Sequence, residues 1–285
     1  MKISIITATY NSAAHIAGCL ASVNSQTYKN IEHIIIDGAS TDNTLEIVKS
    51  TIPKEQSNRG TQLISESDHG IYDALNKGIR LATGDIIGFL HADDTFASPT
   101  TIEAIAKEFN SSNQNISTKS TKRKEFSPLS GEMSGIPGQR GDATRQINGV
   151  YGNLVFTNAE NKVVRTWYSK PFNRKNVKHG WMPPHPTLFL RKEVYEKHGL
   201  FDTTFKIAGD YDFMLRVMTH PEMHLRFLPE VITTMRLGGA STGSIKGILL
   251  KMQEDIRALR NNGFNYPLAI LAAATFRKLP QLLHR

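Results

Sequence analysis

Apolar residues gather in short runs divided by polar turns, and the spacing inside the runs switches between two periods. Ile3–Thr7, Ile31–Ile36 and Ile86–Leu90 are strand-length apolar stretches, with Gln62–Ser65 a weaker one. Between them, Ala13–Ser25 carries Ile16, Leu20 and Val23 at helical spacing. Asn43–Ser50 is a second helix, with Ser40 or Thr41 as its cap, and Ile71–Ala82 is a third, closed by Gly84. Strands alternating with helices predict a mostly parallel sheet covered on both faces. Each of these strands ends in polar residues at the same edge, and in open α/β sheets that edge is where ligands bind.

Thr100–Asn110 continues as a helix, after which the pattern fades. Residues 111–147 are rich in Ser, Thr, Gly, Lys and Arg, include the run KSTKRK, and read as a flexible insertion. Periodicity returns in GVYGNLVF and KVVRTWY, a hairpin about the turn Asn158–Asn161. Thr187–Leu190, a helix Lys192–Lys197, a helix Asp210–Met218 and short strands Leu225–Leu228 and Val231–Met235 follow. The resulting division is 1–110, a ligand-binding half; 111–147, the insertion; 148–240, a second half; and 241–285, a basic helical tail. In Ile248–Arg260 and Leu268–Arg285 apolar and basic residues alternate in helical fashion. That suits helices lying on an anionic membrane surface, or equally helices packed on the domain or on a partner.

Composition narrows the partners without choosing one. Lys and Arg outnumber Asp and Glu by 34 to 26 over 285 residues, a net charge of +8, which favours anionic ligands such as nucleotides or phospholipid headgroups. A single cysteine, Cys19, excludes an intramolecular disulfide framework. The opening MKISIITATYN turns polar too soon for a signal peptide, and no apolar run approaches the ~20 residues of a bilayer span. The expectation is a cytoplasmic protein, peripheral at the inner face of the cell membrane if the tail binds there.

Candidate chemistry sits at the strand ends. Ile86–Leu90 runs straight into His91-Ala92-Asp93-Asp94. Two adjacent carboxylates there either hold a divalent cation with phosphate oxygens completing its shell, or cap a helix starting near Ser98-Pro99. Thr7-Ala8-Thr9-Tyr10-Asn11 offers small polar residues and a ring able to stack on a base, though it is not G-x-G-x-x-G. Asp37 either accepts hydrogen bonds from a nucleoside or starts the Asp37-Gly38 turn. Asp68 either meets the ligand or caps the following helix, where Asp73 and Lys77 stand four apart as in a surface ion pair. Far downstream, Asp210 opens a helix in Gly209-Asp210-Tyr211-Asp212; it is a cap, or the carboxylate base that attack by a hydroxyl requires. His185 lies between prolines and either lines the acceptor side or fills a turn.

These stretches resemble the inverting, GT-A-fold glycosyltransferases of family 2, in the branch that builds bacterial surface polysaccharides. SIITATYNSAAHIAGCLASVNSQTYKNIEHIIIDGASTDNT, SESDHGIYDALNKGIRLATGDIIGFLHADDTF and HPTLFLRKEVYEKHGLFDTTFKIAGDYDFMLR carry the resemblance, in the family's order. It implies an α/β fold of GT-A type, Rossmann-like, with a mostly parallel central sheet flanked by helices and a C-terminal helical segment. It implies that Thr7, Thr9, Tyr10 and Asp37 hold the nucleoside and that Asp68 and Lys77 contribute to the nucleotide pocket. Asp93 becomes the metal carboxylate of a D-x-D-type motif with Asp94 beside it, the cofactor a divalent cation (Mn2+ or Mg2+), and Asp210 the general base. The implied partners are a nucleotide-diphosphate sugar donor and a glycan or lipid-linked acceptor.

The chain departs from the family pattern in four places. His91 stands where many relatives have the first Asp, Gly209 precedes Asp210 where Glu is usual, Q-x-x-R-W is missing, and 111–147 has no counterpart. The missing Q-x-x-R-W argues for one sugar per acceptor. A sugar-1-phosphate nucleotidyltransferase would want a glycine-rich, Arg-containing loop where TATYNSA stands. A nucleic-acid-binding protein would gather its basic residues, which here are dispersed.

Overall fold

The computed structural model describes residues 1–52, 60–121, 146–237 and 245–278. Its elements run β1 (Ile3–Thr9), α1 (Ile16–Asn24), β2 (Ile31–Asp37), α2 (Thr44–Thr51), β3 (Gln62–Ser65), α3 (Ile71–Leu81) and β4 (Ile86–Phe89). β5 (Thr95–Phe96), α4 (Thr101–Thr121), β6 (Gly149–Thr157), β7 (Val163–Trp167) and α5 (Arg174–Lys178) follow. The chain continues with β8 (Phe189–Arg191), α6 (Lys192–His198), α7 (Gly209–Met218), β9 (Leu225–Arg236), α8 (Ile245–Asn261) and α9 (Pro267–Lys278).

Among the described residues, nine strands join one sheet in the order β3-β2-β1-β4-β8-β6-β9-β5, with β7 paired to β6. The first four are mutually parallel. β8 then pairs antiparallel with β4 and β6, β9 pairs parallel with β6, and β5 closes the far edge antiparallel to β9. This is an α/β fold of GT-A type with a C-terminal helical segment.

The alternation of side chains along each strand divides the core into two layers. Ile6 and Ala8 of β1, Ile34 and Ile36 of β2, and Ile87 and Phe89 of β4 face α3 and α7. Ile3 and Ile5, Ile35, and Ile86 with Leu90 face α1 and α4 on the other side. Residues buried on both faces explain why these strands read as continuous apolar runs rather than alternating ones.

Two elements differ from the sequence pattern, and a third, the tail, takes one of the two placements expected of it. The two short strands expected around Pro229 are one, β9, which shifts register opposite Gly152 and Asn153. A bulge there accommodates a residue that has no N–H for the ladder. Helix α4 runs on to Thr121, into the stretch expected to be irregular, while 122–145, with the second half of KSTKRK, lie outside the described residues. The tail is not simply a surface strip. α8 packs on α7 through the buried Glu254, Ala258 and Leu259, and leaves Ile248, Leu249 and Met252 exposed. Its last residues, 279–285, also lie outside the described region. Among the described residues no helix is long and apolar enough to cross a membrane.

Candidate active site

The C-terminal ends of β1, β2 and β3 and the start of α3 form one shelf. Gly38 N–H donates to Thr9 O (2.9 Å), joining the ends of β1 and β2. A Cβ at Gly38 would lie 2.6 Å from Asp68 Oδ2 and 3.4 Å from the Tyr10 ring, so glycine is what lets those two side chains close over this backbone. Tyr10 presents its ring to solvent, 61% exposed. Asp68 Oδ1 accepts from Gly70 N–H (2.9 Å), which ties the carboxylate to the head of α3. Thr9 Oγ1 is buried with no hydrogen-bond partner among the described residues.

The other nucleotide-side residues are arranged differently. Asp37 is fully buried and accepts from Ser40 N–H (3.0 Å), Ser40 Oγ (2.5 Å) and Ser65 Oγ (2.7 Å), so its carboxylate braces the loops after β2 and β3. Lys77 donates to Ser67 O (2.9 Å) and pairs with Glu66 (2.9 Å) and Asp73 (3.7 Å), ordering the loop that carries Asp68. Thr7 points into the core, its hydroxyl 2.9 Å from His33 Nε2 and 3.8 Å from Cys19 Sγ. Burial pushes the His33 pKa down to about 4 and the Cys19 thiol up to about 12. Thr7 therefore lies beneath the shelf and not on it.

Beyond β4 the chain turns sharply, Asp94 N–H donating to His91 O (3.0 Å). Asp93 is half-buried, whereas Asp94 is fully buried and neither carboxylate oxygen has a partner at bonding geometry among the described residues. Burial, then the neighbouring Asp93 charge, lift the Asp94 pKa well above the usual carboxylate range; the backbone N–H of Arg236 pulls the other way. His91 Nδ1 is likewise buried without a partner. The capping alternative does not describe these acids, since β5 intervenes and Ser98 Oγ accepts from Thr100 N–H (3.2 Å) ahead of α4. Among the described residues no three His, Cys, Asp or Glu side chains close around a common point. Two adjacent carboxylates, one of them unsatisfied, nevertheless fit a hard cation whose remaining ligands are phosphate oxygens and water.

Beside His185 stands Asp210, in the first turn of α7, where the helix N-terminus favours an anion. It caps nothing; the N-cap position is Ala208. Its Oδ1 lies 3.2 Å from the Tyr72 hydroxyl and its Oδ2 3.9 Å from His185 Nδ1. Tyr72 also donates to Ile207 O (2.6 Å), and its ring fills the space a Cβ on Gly209 would need, 2.8 Å away. His185 sits in a short 3-10 turn, His185–Thr187, against Phe89 and Phe201. Burial pushes its pKa down to about 4, and it is neutral in the pH range of the cell. The His91 and His185 rings, 6.3 Å apart, bridge from the acidic turn to Asp210.

The site thus has an acidic turn on one side, a carboxylate on a helix start on the other, and an aromatic, glycine-floored shelf beside them. Sequence reasoning singled out Asp93, Asp94 and Asp210, and passed over Tyr72 although it lies in one of the stretches quoted. A tyrosine at a helix start carries no sign that it reaches a loop 135 residues away.

The glycosyl transferase family 2 model matches residues 4–198. A PGL/p-HBAD biosynthesis glycosyltransferase of Mycobacterium bovis is 27% identical over 251 residues, 87% of this chain and 82% of that protein. S. aureus TarS 1–349 in complex with UDP-GlcNAc superposes with a TM-score of 0.63 at 16% identity, over 98% of this chain and 73% of that one. This chain spans 44% of the longer TarS chain. The mannosyltransferase PcManGT from Pyrobaculum calidifontis, in complex with GDP-Man and Mn2+, gives a TM-score of 0.61 at 19% identity, over 98% and 70%. At these identities the structural likeness speaks for the fold.

Proposed function

Since the chain belongs to glycosyl transferase family 2, we propose that it moves one sugar from a nucleoside-diphosphate sugar to a hydroxyl of a glycan or lipid-linked acceptor, with inversion, in polysaccharide biosynthesis. The observation that carries this reading is the unsatisfied, buried Asp94 beside Asp93, set across His91 and His185 from Asp210.

The shelf is the nucleoside side. Tyr10 stacks on the base, the Thr9 hydroxyl and Asp68 offer it polar contacts, Asp37 and Lys77 hold the surrounding loops in place, and Thr7 supports β1 from the core beneath. Asp93 and Asp94 hold the divalent cation, Mn2+ or Mg2+, which when bound neutralises the diphosphate as it leaves. Asp210 accepts the proton of the acceptor hydroxyl as that oxygen attacks the anomeric carbon from the face opposite the nucleotide. His185, neutral and buried, keeps the acceptor side dry. Two of the solved relatives hold UDP-GlcNAc, or GDP-Man with Mn2+, which supports a sugar nucleotide and a cation as the ligand class. The exposed Ile248, Leu249 and Met252 of α8, with Tyr266 and Leu268 beyond it, support attachment to the membrane where a lipid-linked acceptor resides.

Thermal-shift titration with UDP, GDP, dTDP and CMP, with and without Mn2+, tests the donor half. One nucleotide should give a cation-dependent shift that disappears in Asp93→Ala. Asp210→Asn should bind that nucleotide normally and lose about 100-fold or more in transfer rate. If no nucleotide shifts the wild-type protein, the reading of the acidic turn is wrong.

A further inference from the structure

Helix α8 lies in the tail, far in sequence from every motif above, and one of its side chains reaches the loop before α7. Glu254 is 6% exposed. Its Oε1 accepts from Lys206 N–H (2.9 Å), and its Oε2 accepts from Ile207 N–H (2.8 Å) and Ala208 N–H (2.9 Å). Three consecutive backbone N–H groups converging on one carboxylate form an anion nest, and each bond is charge-assisted.

The place of this nest gives it a consequence. Ala208 is the N-cap residue of α7 and has no side chain able to cap, so an orphan donor at the helix start is satisfied by α8. The same short segment is gripped from its other side, because the Ile207 carbonyl accepts the Tyr72 hydroxyl. The peptide 206–208 is therefore clamped between α8 through its N–H groups and α3 through a carbonyl, and Asp210 follows two residues later. Two more contacts extend the clamp, one from α8 and one from the residue just past its end. Asn262 Nδ2 donates to Asp212 Oδ1 (2.9 Å), and the Arg257 guanidinium lies 3.7 Å from the centre of the Phe205 ring.

A carboxylate placed only to cap a loop would be as useful anywhere. This one fixes the backbone from which Asp210 projects, and among the described residues the Asp210 carboxylate has only the contacts at 3.2 Å and 3.9 Å to hold it. We propose that Glu254 is a positioning residue for Asp210, aligning the carboxylate with the acceptor hydroxyl by holding residues 206–208 from α8. This inference rests on Asp210 being the base.

The test compares Glu254→Gln and Glu254→Asp with wild type and with Gln253→Ala, a change at an exposed position on the same helix. Four quantities are read: Tm, amide hydrogen exchange at 206–208, nucleotide affinity, and kcat with both KM values. Glu254→Gln replaces one acceptor oxygen with an NH2 facing N–H donors. It should speed exchange at the three amides and lower kcat by about 10- to 100-fold, the scale of a small misplacement of a reacting group. Nucleotide affinity should stay within about twofold, because the donor shelf is built from other elements. Glu254→Asp keeps the charge but withdraws it by one methylene and should fall between, which keeps the test open if the Gln variant folds poorly. Exchange that accelerates while kcat holds at the wild-type value would overturn the inference. So would a loss in which kcat and nucleotide affinity decline together with Tm, since that is what a purely structural brace produces. If wild type itself binds a nucleotide but transfers no sugar, and Asp210→Asn changes nothing, the reading of Asp210 as base fails and takes this inference with it. Active wild type with unchanged Glu254 variants removes this inference alone.

Discussion

The Tyr72 hydroxyl stands between two oxygens, 2.6 Å from the Ile207 carbonyl and 3.2 Å from Asp210 Oδ1. Its one O–H is offered to both, with the shorter bond to the Ile207 carbonyl and the longer to the Asp210 carboxylate. Burial first, then the Asp210 charge, raise the Tyr72 pKa far above the ordinary phenol range, so the hydroxyl stays protonated and serves as a strut.

Replacing Tyr72 with Phe removes this strut while keeping the ring packed against Gly209. The expected loss is ~1 kcal/mol of stability, the net worth of one hydrogen bond. Transfer should slow by about 10-fold through a less well-held Asp210, with nucleotide affinity unchanged. Chemical denaturation and steady-state kinetics check the two halves separately; a variant as fast as wild type would show that the 3.2 Å contact does not bear on the base.

Asp94 sets stability against binding. Its folded pKa is raised from 3.8 by burial and by Asp93. The folded state consequently holds on to a proton that the unfolded chain has already released. The contribution of Asp94 to stability is present below its unfolded pKa and is lost as pH climbs through the folded value. Asparagine has no proton to lose. Asp94→Asn should therefore melt higher than wild type without ligand, and the gap should widen as pH rises. The same variant should lose the cation-dependent nucleotide shift. A lower Tm at every pH, or a retained cation effect, would contradict the assignment.

Much of this architecture was readable in the chain because two-sided burial leaves a plain signature. Ile34, Ile35 and Ile36 are apolar in succession because β2 has a helical layer on each face. Asp93 and Asp94 stood out because nothing in a packed fold rewards two adjacent acids at the end of a buried strand. Thr7 shows how parity informs such reading. It shares a face with Ile3 and Ile5, and the hydroxyl that looked available in a polar loop is turned toward Cys19 and His33. Glu254 left no mark because its partners are backbone N–H groups, which every residue but proline carries. Nor did β9 across Pro229, where a bulge settled what a helix- or strand-period pattern could not.

Acid should act first through the buried histidines, His185 as well as His33, and His33 shows the effect away from the site. Burial lowers its pKa from 6.5 to about 4, so the folded protein keeps it neutral while the unfolded chain protonates it. Stability is then present above 6.5 and is lost as pH falls toward 4. Next along β2, Glu32 adds a second window at lower pH. Burial pushes its pKa up, but hydrogen bonds from Lys2, Ser4 and Thr83 outweigh that and hold it at about 2, against 4.5 unperturbed. Its contribution is present above 4.5 and is lost as pH falls toward 2. Glu32→Gln should flatten the lower part of a Tm-against-pH curve and leave the part between pH 6.5 and 4.5 as it was. An unchanged slope below 4.5 would show that the Glu32 network is not what acid removes.

Helix α8 has a second face whose role is separable from Glu254. Ile248, Leu249 and Met252 are 55%, 50% and 47% exposed, with the exposed cation Lys246 within one turn of the first two and Tyr266 and Leu268 exposed beyond the helix. Apolar side chains flanked by positive charge suit the headgroup region of an anionic bilayer, where both the buried area and the charge contribute to binding. The protein should sediment with vesicles containing phosphatidylglycerol and much less with phosphatidylcholine alone. Raising the salt should weaken the first by screening the charge. Replacing Ile248, Leu249 and Met252 with Ser should abolish sedimentation while leaving nucleotide binding intact, because Glu254, Ala258 and Leu259 on the opposite face still pack on the domain. Equal sedimentation of the triple variant and wild type would move the attachment elsewhere, and an absence of binding to either vesicle would remove the membrane from this part of the function.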